Sequence, residues 1–316
     1  MFTTKIDTQP SAYKIDYSSR ILTVGSCFSE NMGTKLQNAC FDTDVNPFGV
    51  LFNPASIAES IQLLMQKRNF TTDDLFQHNS LWGNYMHSTL FSDSKPEHCL
   101  SKINTRLNAA AENMQKLDFL MLTFGTAWVY KLAETGKVVA NCHKVPADKF
   151  IRDRLTVEAI TNIYNNLITE LKRVNPDLKI VFTVSPVRHW KDGPTENAIS
   201  KGILLQAIQE IVKTHKNTCY FPAYEILMDE LRDYRFYAAD MLHPSEVAVD
   251  YIFKIFSNVF FQKETLQCMN ELTNYKNGLL HRPTHTDTTE YEKFKTHLHK
   301  TKQNLLNKYP VLAGRI

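Results

Sequence analysis

Three side chains in this sequence have the chemistry to make and break a covalent bond together: the thiol of Cys27, the imidazole of His243 and the carboxylate of Asp240. Cys27 lies in Ile21-Leu-Thr-Val24-Gly25-Ser26-Cys27-Phe28-Ser29-Glu30, where an apolar, partly β-branched run meets a glycine and then residues that open a helix. The pattern predicts a buried strand that breaks at Gly25, with Ser26 and Cys27 on the turn and Ser29 capping a helix from Glu30. A thiol on a helix N-terminus faces free N–H groups and the positive end of the macrodipole. Its pKa is therefore expected below the ordinary cysteine value of about 8.5. Asp240 and His243 sit three apart in Tyr237-Ala-Ala-Asp240-Met-Leu-His243-Pro244-Ser245. In such a pair the carboxylate orients the ring and supports its protonated form, while the ring takes a proton from a nucleophile and returns it to a leaving group.

The elements that must position these groups alternate along the chain. Phe119–Phe124 and Lys179–Val184 are continuous apolar runs of the kind found in buried parallel strands, and Cys40–Val45 and Cys219–Phe221 are shorter candidates. Between them lie helical stripes: Ile57, Ile61, Leu64 and Met65 after an Asn53 cap and Pro54; Val157 to Leu171; Ile199, Ile203, Leu204, Ala207, Ile208 and Ile211; Ala248 to Phe260. Val129–Leu132 and Val138–Asn141, joined through Gly136, read as a hairpin that delivers Asn141 and His143 to the site. Residues 67–117 break the rhythm with a polar stretch, an aromatic-rich piece and a helix over Ser101–Leu117, so they read as an insertion, and a candidate lid, beside the site. Strands alternating with helices indicate a parallel sheet covered on both faces, with ligands at the strand carboxyl ends. Cys27 and the Asp240/His243 turn are both expected on that rim.

With both ends in view, the chain resembles the GSCFA-domain family of the SGNH (GDSL-type) hydrolase-like superfamily. Gly25-Ser26-Cys27-Phe28-Ser29 differs from the family's name only in its last letter. The resemblance continues through Asn46-Pro-Phe-Gly49, Trp82 to His87-Ser88, Thr123-Phe-Gly125-Thr-Ala-Trp128, Asn141-Cys-His143, Ser185-Pro-Val-Arg188-His189-Trp190 and the Asp240/His243 block, so it spans about residues 20 to 260. It implies a three-layer α/β/α domain with a parallel sheet, SGNH-hydrolase-like and flavodoxin-like, over 1–261 with the insertion at 67–117, followed by a polar C-terminal helical extension over 262–316.

Carried over residue by residue, the superfamily's Gly-Asp-Ser turn falls on Gly25-Ser26-Cys27. Cys27 takes the place of the nucleophilic serine and Ser26 that of the aspartate; a thiol ionises more readily, so Cys27 is favoured, with Ser26 the alternative. The glycine of the second block falls on Gly49, which with the backbone N–H of the nucleophile residue is expected to hold the oxyanion, and Gly125 of the third block is the other glycine assigned to that hole. The third block, Gly-x-Asn-Asp, falls on Gly125-Thr126-Ala127-Trp128 and lacks its asparagine. Removing one oxyanion donor costs about 10²–10³ in rate, so Thr126, Asn141 or Asn46 must replace it or hydrolysis is altered or lost. Asp240 and His243 match the final block without change. Asn141, His143 and Arg188 are candidate substrate ligands, Arg188 through a bidentate pair with a carboxylate or phosphate. His87, Trp82 and Trp128 are candidate pocket walls, whereas His189 and Lys191 are expected to face solvent.

Composition excludes some partners. The net charge is +3, from 36 basic and 33 acidic residues among 316, which favours neither nucleic acid nor an anionic membrane. No apolar run approaches the roughly 18 residues of a membrane span, and the N-terminus lacks a signal-like stretch, so a cytoplasmic location is expected. Six cysteines without Cys-x-x-Cys spacing oppose a zinc knuckle and a disulfide framework, and no cofactor is expected. His281, His285, His297 and His299 in the tail lack ligand spacing and read as a solvated face rather than a metal site. The terminal helix, with Tyr291, Phe294, Leu298, Leu305 and Tyr309, is expected to dock on the body or to join a second subunit in a homo-oligomer. The expected activity is hydrolysis or transfer of an acyl group from an ester or glycan substrate through a covalent intermediate. The rival is a degenerate module of the same fold that binds a small anionic or glycan ligand through Arg188, His143 and Asn141.

Overall fold

The computed structural model describes residues 4–281, 284–285 and 287–316. From the N-terminus, β1 (Arg20–Gly25) leads into α1 (Cys27–Asn38), β2 (Asp42–Val45) and α2 (Pro54–Met65). A hairpin of β3 (Phe76–His78) and β4 (Leu81–Gly83) and then α3 (Pro96–Asn113) precede β5 (Phe119–Phe124). Three antiparallel strands follow, β6 (Trp128–Leu132), β7 (Val138–Val139) and β8 (Phe150–Arg154), and then α4 (Val157–Val174), β9 (Lys179–Val184) and α5 (Pro194–Thr214). The chain closes with β10 (Thr218–Tyr220), the short α6 (Ala223–Glu225), α7 (Glu246–Phe260), α8 (Lys263–Leu280) and α9 (Thr289–Lys308).

The central sheet is parallel throughout, in the order β10-β9-β5-β1-β2. Counted by appearance within the sheet, this is the 2-1-3-4-5 order of a doubly wound fold, whose direction of travel reverses between β1 and β5. Side chains alternate across the sheet with period two. Leu22, Val24, Leu120, Leu122, Phe124, Ile180 and Phe182 enter one core, shared with buried residues of α2, α3, α4 and α5. Ile21, Phe119, Met121 and Val181 enter the other, shared with α1, α7, α8 and α9. Three layers result, as the alternating strands and helices predicted.

Local chemistry explains the element starts. Asn53 accepts the Ser56 amide at the head of α2, with Pro54 in its first turn, and Ser245 accepts the Ala248 amide at the head of α7. Some expectations are corrected. The helix expected over Ser101–Leu117 starts at Pro96, whose fixed φ suits a first turn, and becomes a 3-10 turn after Asn113. Residues 67–117 are anchored in the body: Phe70, Met86, Cys99, Ile103, Leu107 and Ala110 lie in the larger core. Ile199, expected inside, is 41% exposed, whereas Asn197, Ser200 and Lys201 are buried on α5. The tail docks on the body, where Cys268, Leu272, Tyr275 and Leu305 join the core that holds Phe41 and Phe261.

Candidate active site

Gly25 ends β1 with φ +148°, and a Cβ there would stand 2.3 Å from the Thr123 carbonyl oxygen. Only glycine lets β1 and β5 close up at this point while the chain turns, and the turn places Ser26 and Cys27 at the carboxyl ends of the strands, where the sheet reverses. The helix begins one turn earlier than expected, at Cys27, with Ser26 in the cap position but making no capping bond through its side chain. Ser26 is 1% exposed and its Oγ has no partner among the described residues, whereas Cys27 is only half-buried. The free amides of Phe28 and Cys27 lean on the sulfur and favour the thiolate, and the charge of Lys201 acts in the same direction. Burial outweighs them, and Glu30 adds to it, so the thiol sits above its ordinary value rather than below as the helix N-terminus predicted.

The two glycines assigned to the oxyanion hole have their amides engaged within the fold. Gly49 N–H donates to the Asn46 carbonyl at 2.8 Å in a tight turn with φ +79°, and Gly125 N–H donates to the Phe52 carbonyl at 2.7 Å. Neither is free to receive an oxyanion. Other donors point to the turn instead. The amides of Cys27 and Phe28, which a helix start leaves without a backbone partner, point at the Cys27 sulfur. Asn46, held at φ +43°, accepts the Gly25 amide through Oδ1 at 2.9 Å, while its buried Nδ2 has no partner among the described residues. Thr126 is unavailable, since its Oγ1 meets Ser200 Oγ at 3.1 Å and accepts the Trp128 amide at 3.2 Å.

Two groups that sequence reasoning missed complete the inner wall. Lys201, from α5, is 1% exposed, and its Nζ donates to the Gly125 and Ser185 carbonyls, each at 2.7 Å. Burial drives its pKa down to about 7, with the nearby Cys27 opposing the fall. His189, expected in solvent, is half-buried with its ring edge-on to Phe52 at 5.5 Å, and its backbone N–H donates to Asn197 Oδ1 at 3.0 Å. Burial, then the charge of Lys201, holds it down at about 4, and it also feels His243. His189 thus lies within electrostatic reach of both the inner cation and the outer histidine.

On the outer side, His243 Nδ1 meets Asp240 Oδ2 at 2.6 Å, and both side chains are about half exposed, at 49% and 47%. The amides of His243 and Leu242 donate to Asp240 Oδ1, each at 2.9 Å, so the carboxylate fixes the loop as well as the ring. Those amides, with the imidazole, hold the Asp240 carboxyl down at about 2. Beside this pair opens a cavity of about 390 Å³, walled by Trp190, Met228, Tyr234, Tyr237, Met241 and Leu242 and also lined by Asp240 and Arg188. Arg188 reaches Met228 Sδ at 3.5 Å, and its buried Nε is unpaired among the described residues. A wider cleft of about 780 Å³ lies elsewhere, between Thr4–Lys5 and the Asp229–Phe236 segment.

The remaining expected ligands have structural partners. His87 is fully buried against Phe48, Phe70 and Phe91, with Nδ1 on Asn84 Oδ1 at 2.9 Å, and walls no open pocket. Trp128 lies beneath the Arg152 guanidinium at 4.1 Å, with Arg154 at 5.3 Å, and is packed rather than open to a ligand. His143 Nε2 meets the Asn84 carbonyl at 2.9 Å among Phe76 and Tyr85, and its amide donates to Asn141 Oδ1 at 2.8 Å. The hairpin therefore ties Asn141 and His143 to the 67–117 segment, not to the turn that carries Cys27. Among the described residues, no three or more His, Cys, Asp or Glu side chains converge as a metal site, and no helix is long and apolar enough to cross a membrane.

Comparison with solved structures gives distant likeness. The chain is similar to a Clostridium thermocellum family 3 carbohydrate esterase at 15% identity and a TM-score of 0.34, covering 80% of this chain and 98% of that one. It is also similar to an acetyl xylan esterase from the rumen bacterium Butyrivibrio proteoclasticus at 11% identity and a TM-score of 0.38, covering 83% and 65%. No curated protein matches. The GSCFA family profile matches residues 20–256, a span that runs from the first residue of β1 through the Cys27 turn, the buried lysine and the Asp240/His243 loop into α7. On that match the chain belongs to the GSCFA family.

Proposed function

We propose that this protein cleaves or transfers an acyl group from an ester through a thioester on Cys27. The observation that carries the reading is the Cys27 turn itself. A half-buried sulfur lies against two free helix amides at the sheet's reversal point, with the buried Nδ2 of Asn46 close by. Cys27 attacks the carbonyl carbon, and the amides of Cys27 and Phe28 with Asn46 Nδ2 receive the oxyanion in place of Gly49 and Gly125. Ser26 is a poorer nucleophile because its hydroxyl is sealed from solvent. Asp240 and His243 supply acid–base chemistry at the outer face, where a leaving group departs and water or another acceptor enters. The 390 Å³ cavity beside them suits a substrate with an apolar or planar body and an anionic group for Arg188. A reducing compartment such as the cytoplasm would keep Cys27 usable.

Turnover of nitrophenyl esters with neutral and carboxylated acyl chains tests this reading. His243→Ala is expected to lower kcat by about 10²–10⁴, the usual contribution of a positioned acid–base group. Arg188→Leu is expected to raise KM for the carboxylated esters alone. A second reading, an anion- or glycan-binding module without catalysis, draws on the engaged amides of Gly49 and Gly125. Ligand binding that needs Arg188 but tolerates Cys27→Ala, with no turnover of any ester, would favour it.

A further inference from the structure

Four charged residues line the 390 Å³ cavity: Arg188, Arg232, Asp233 and Asp240. Arg232 pairs with Asp229 at 3.4 Å, Asp233 with Arg235 at 3.0 Å, and Asp240 with His243 at 2.6 Å. Arg188 alone of the four makes no ion pair among the described residues. Its Nη2 rests on the Met228 sulfur at 3.5 Å, and Nε, on the same edge of the guanidinium, is buried without an acceptor. A thioether accepts weakly, and a buried donor left unmet is costly. The Tyr237 hydroxyl points at the same sulfur, at 4.0 Å. Donors from two segments therefore converge on one poor acceptor at the cavity wall. The segment that carries Arg188 is tied to α5 on either side of it: Lys201 Nζ donates to the Ser185 carbonyl at 2.7 Å, and Asn197 Oδ1 accepts the His189 amide at 3.0 Å. Around these donors the wall is apolar and aromatic, with Trp190 and Met241 half exposed and Tyr234 and Leu242 beside them.

We propose that this cavity is a subsite for a monoanionic carboxylate on an apolar or aromatic body, held by the Nε–Nη2 edge of Arg188 and the Tyr237 hydroxyl. The proposal rests on the reading of the cavity as the place of the substrate and adds which anion it takes and which atoms select it. The carboxylate receives two parallel N–H bonds from the guanidinium edge, displaces the Met228 sulfur and accepts a third hydrogen bond from Tyr237. Shape favours this anion, because two coplanar oxygens match the edge. Charge favours a single negative: Arg188 offers one unpaired positive charge, and Asp240 on the same lining repels a second negative. A phosphate monoester, close to a dianion near neutrality, meets both obstacles. Met228 suits a displaceable cover, since an unbranched side chain with three rotatable bonds moves aside at little cost. Trp190, Tyr234 and Leu242 then shield the ligand's body from water.

The test is isothermal titration of the full chain at about pH 8 with phenylacetate, its neutral counterpart phenylacetamide and the dianion phenyl phosphate. Phenylacetate is expected to bind at least about tenfold more tightly than either of the others. Arg188→Lys keeps the charge and loses the planar edge, so phenylacetate should bind about tenfold or more weakly, while Tyr237→Phe should cost about three- to tenfold. Neither variant should change the binding of phenylacetamide by as much. Equal binding of acid and amide, tighter binding of the phosphate, or an Arg188→Lys variant with the parent's affinity would overturn the proposal, as would no heat from phenylacetate at millimolar concentration. If Arg188→Lys does not fold, Tyr237→Phe decides: a loss confined to the carboxylate supports the subsite, and an unchanged affinity overturns it. Binding needs no turnover. A blank ester panel with selective carboxylate binding removes the acyl chemistry and leaves the subsite, whereas ester adducts on Cys27 without a carboxylate preference remove only the subsite.

Discussion

At the scale of single residues, the family resemblance singled out Cys27 as the candidate nucleophile and Asp240/His243 as the candidate acid–base pair, while the amides of Gly49 and Gly125 are engaged within the fold. In the proposed mechanism Asn46 takes the place of the missing block-three asparagine: one end of its amide accepts the Gly25 amide, while the other is buried and unpaired among the described residues. Asn46→Asp keeps the acceptor and replaces the donor with a second acceptor. Ester turnover is expected to fall about 10²–10³ with little change in KM, the measure of a lost oxyanion donor. Asp240→Asn keeps the loop amides but offers His243 Nδ1 the wrong partner. A fall in kcat of up to about 10⁴ is expected at neutral pH, read by the same assay. His189 escaped sequence reasoning because a ring side chain just past a strand end carries no periodic signal of its own, and Lys201 escaped it because the apolar stripe of α5 was drawn through Ile199 and Ile203.

At the scale of elements, the sheet was legible because continuous apolar runs bounded by turns mark β5 and β9 to the residue. The register of α5 was not. Ile199 and Ile203 drew the apolar stripe to one side, but stepping back by three and four from Ile211, Ala207/Ile208 and Leu204 lands on Ser200, Lys201 and Asn197, the buried positions. That backward extrapolation was the signal for Lys201. β8, Phe-Ile-Arg-Asp-Arg, reads as polar, and its pairing with β6 comes from Arg152 and Arg154 stacking on Trp128. The strand-to-helix turn makes its own prediction. Gly25→Ala would force a Cβ against the Thr123 carbonyl at a positive φ, so a loss of about 3 kcal/mol or more is expected in urea unfolding.

At the scale of the whole molecule, buried neutral histidines contribute to its response to acid, His87 and His189 most strongly. His87 and His189 are held down at about 3 and about 4, mainly by burial, while an unfolded histidine titrates near 6.5. The unfolded chain therefore binds more protons in this window: the stability they contribute is complete above about pH 6.5 and is lost as the pH falls toward the folded values. His87→Phe, in a site already walled by Phe48, Phe70 and Phe91, is expected to flatten the decline in urea midpoint between about pH 6.5 and 4. The terminal helices belong to the same cooperative core, so Leu272→Ala should cost about 2–5 kcal/mol in the global transition. The central claim concerns one sulfur, and intact-mass analysis after exposure to activated acyl esters tests it most directly. The parent and Ser26→Ala are expected to gain one acyl mass on Cys27 and Cys27→Ala none. An adduct that persists in Cys27→Ala, or vanishes in Ser26→Ala alone, would contradict the account.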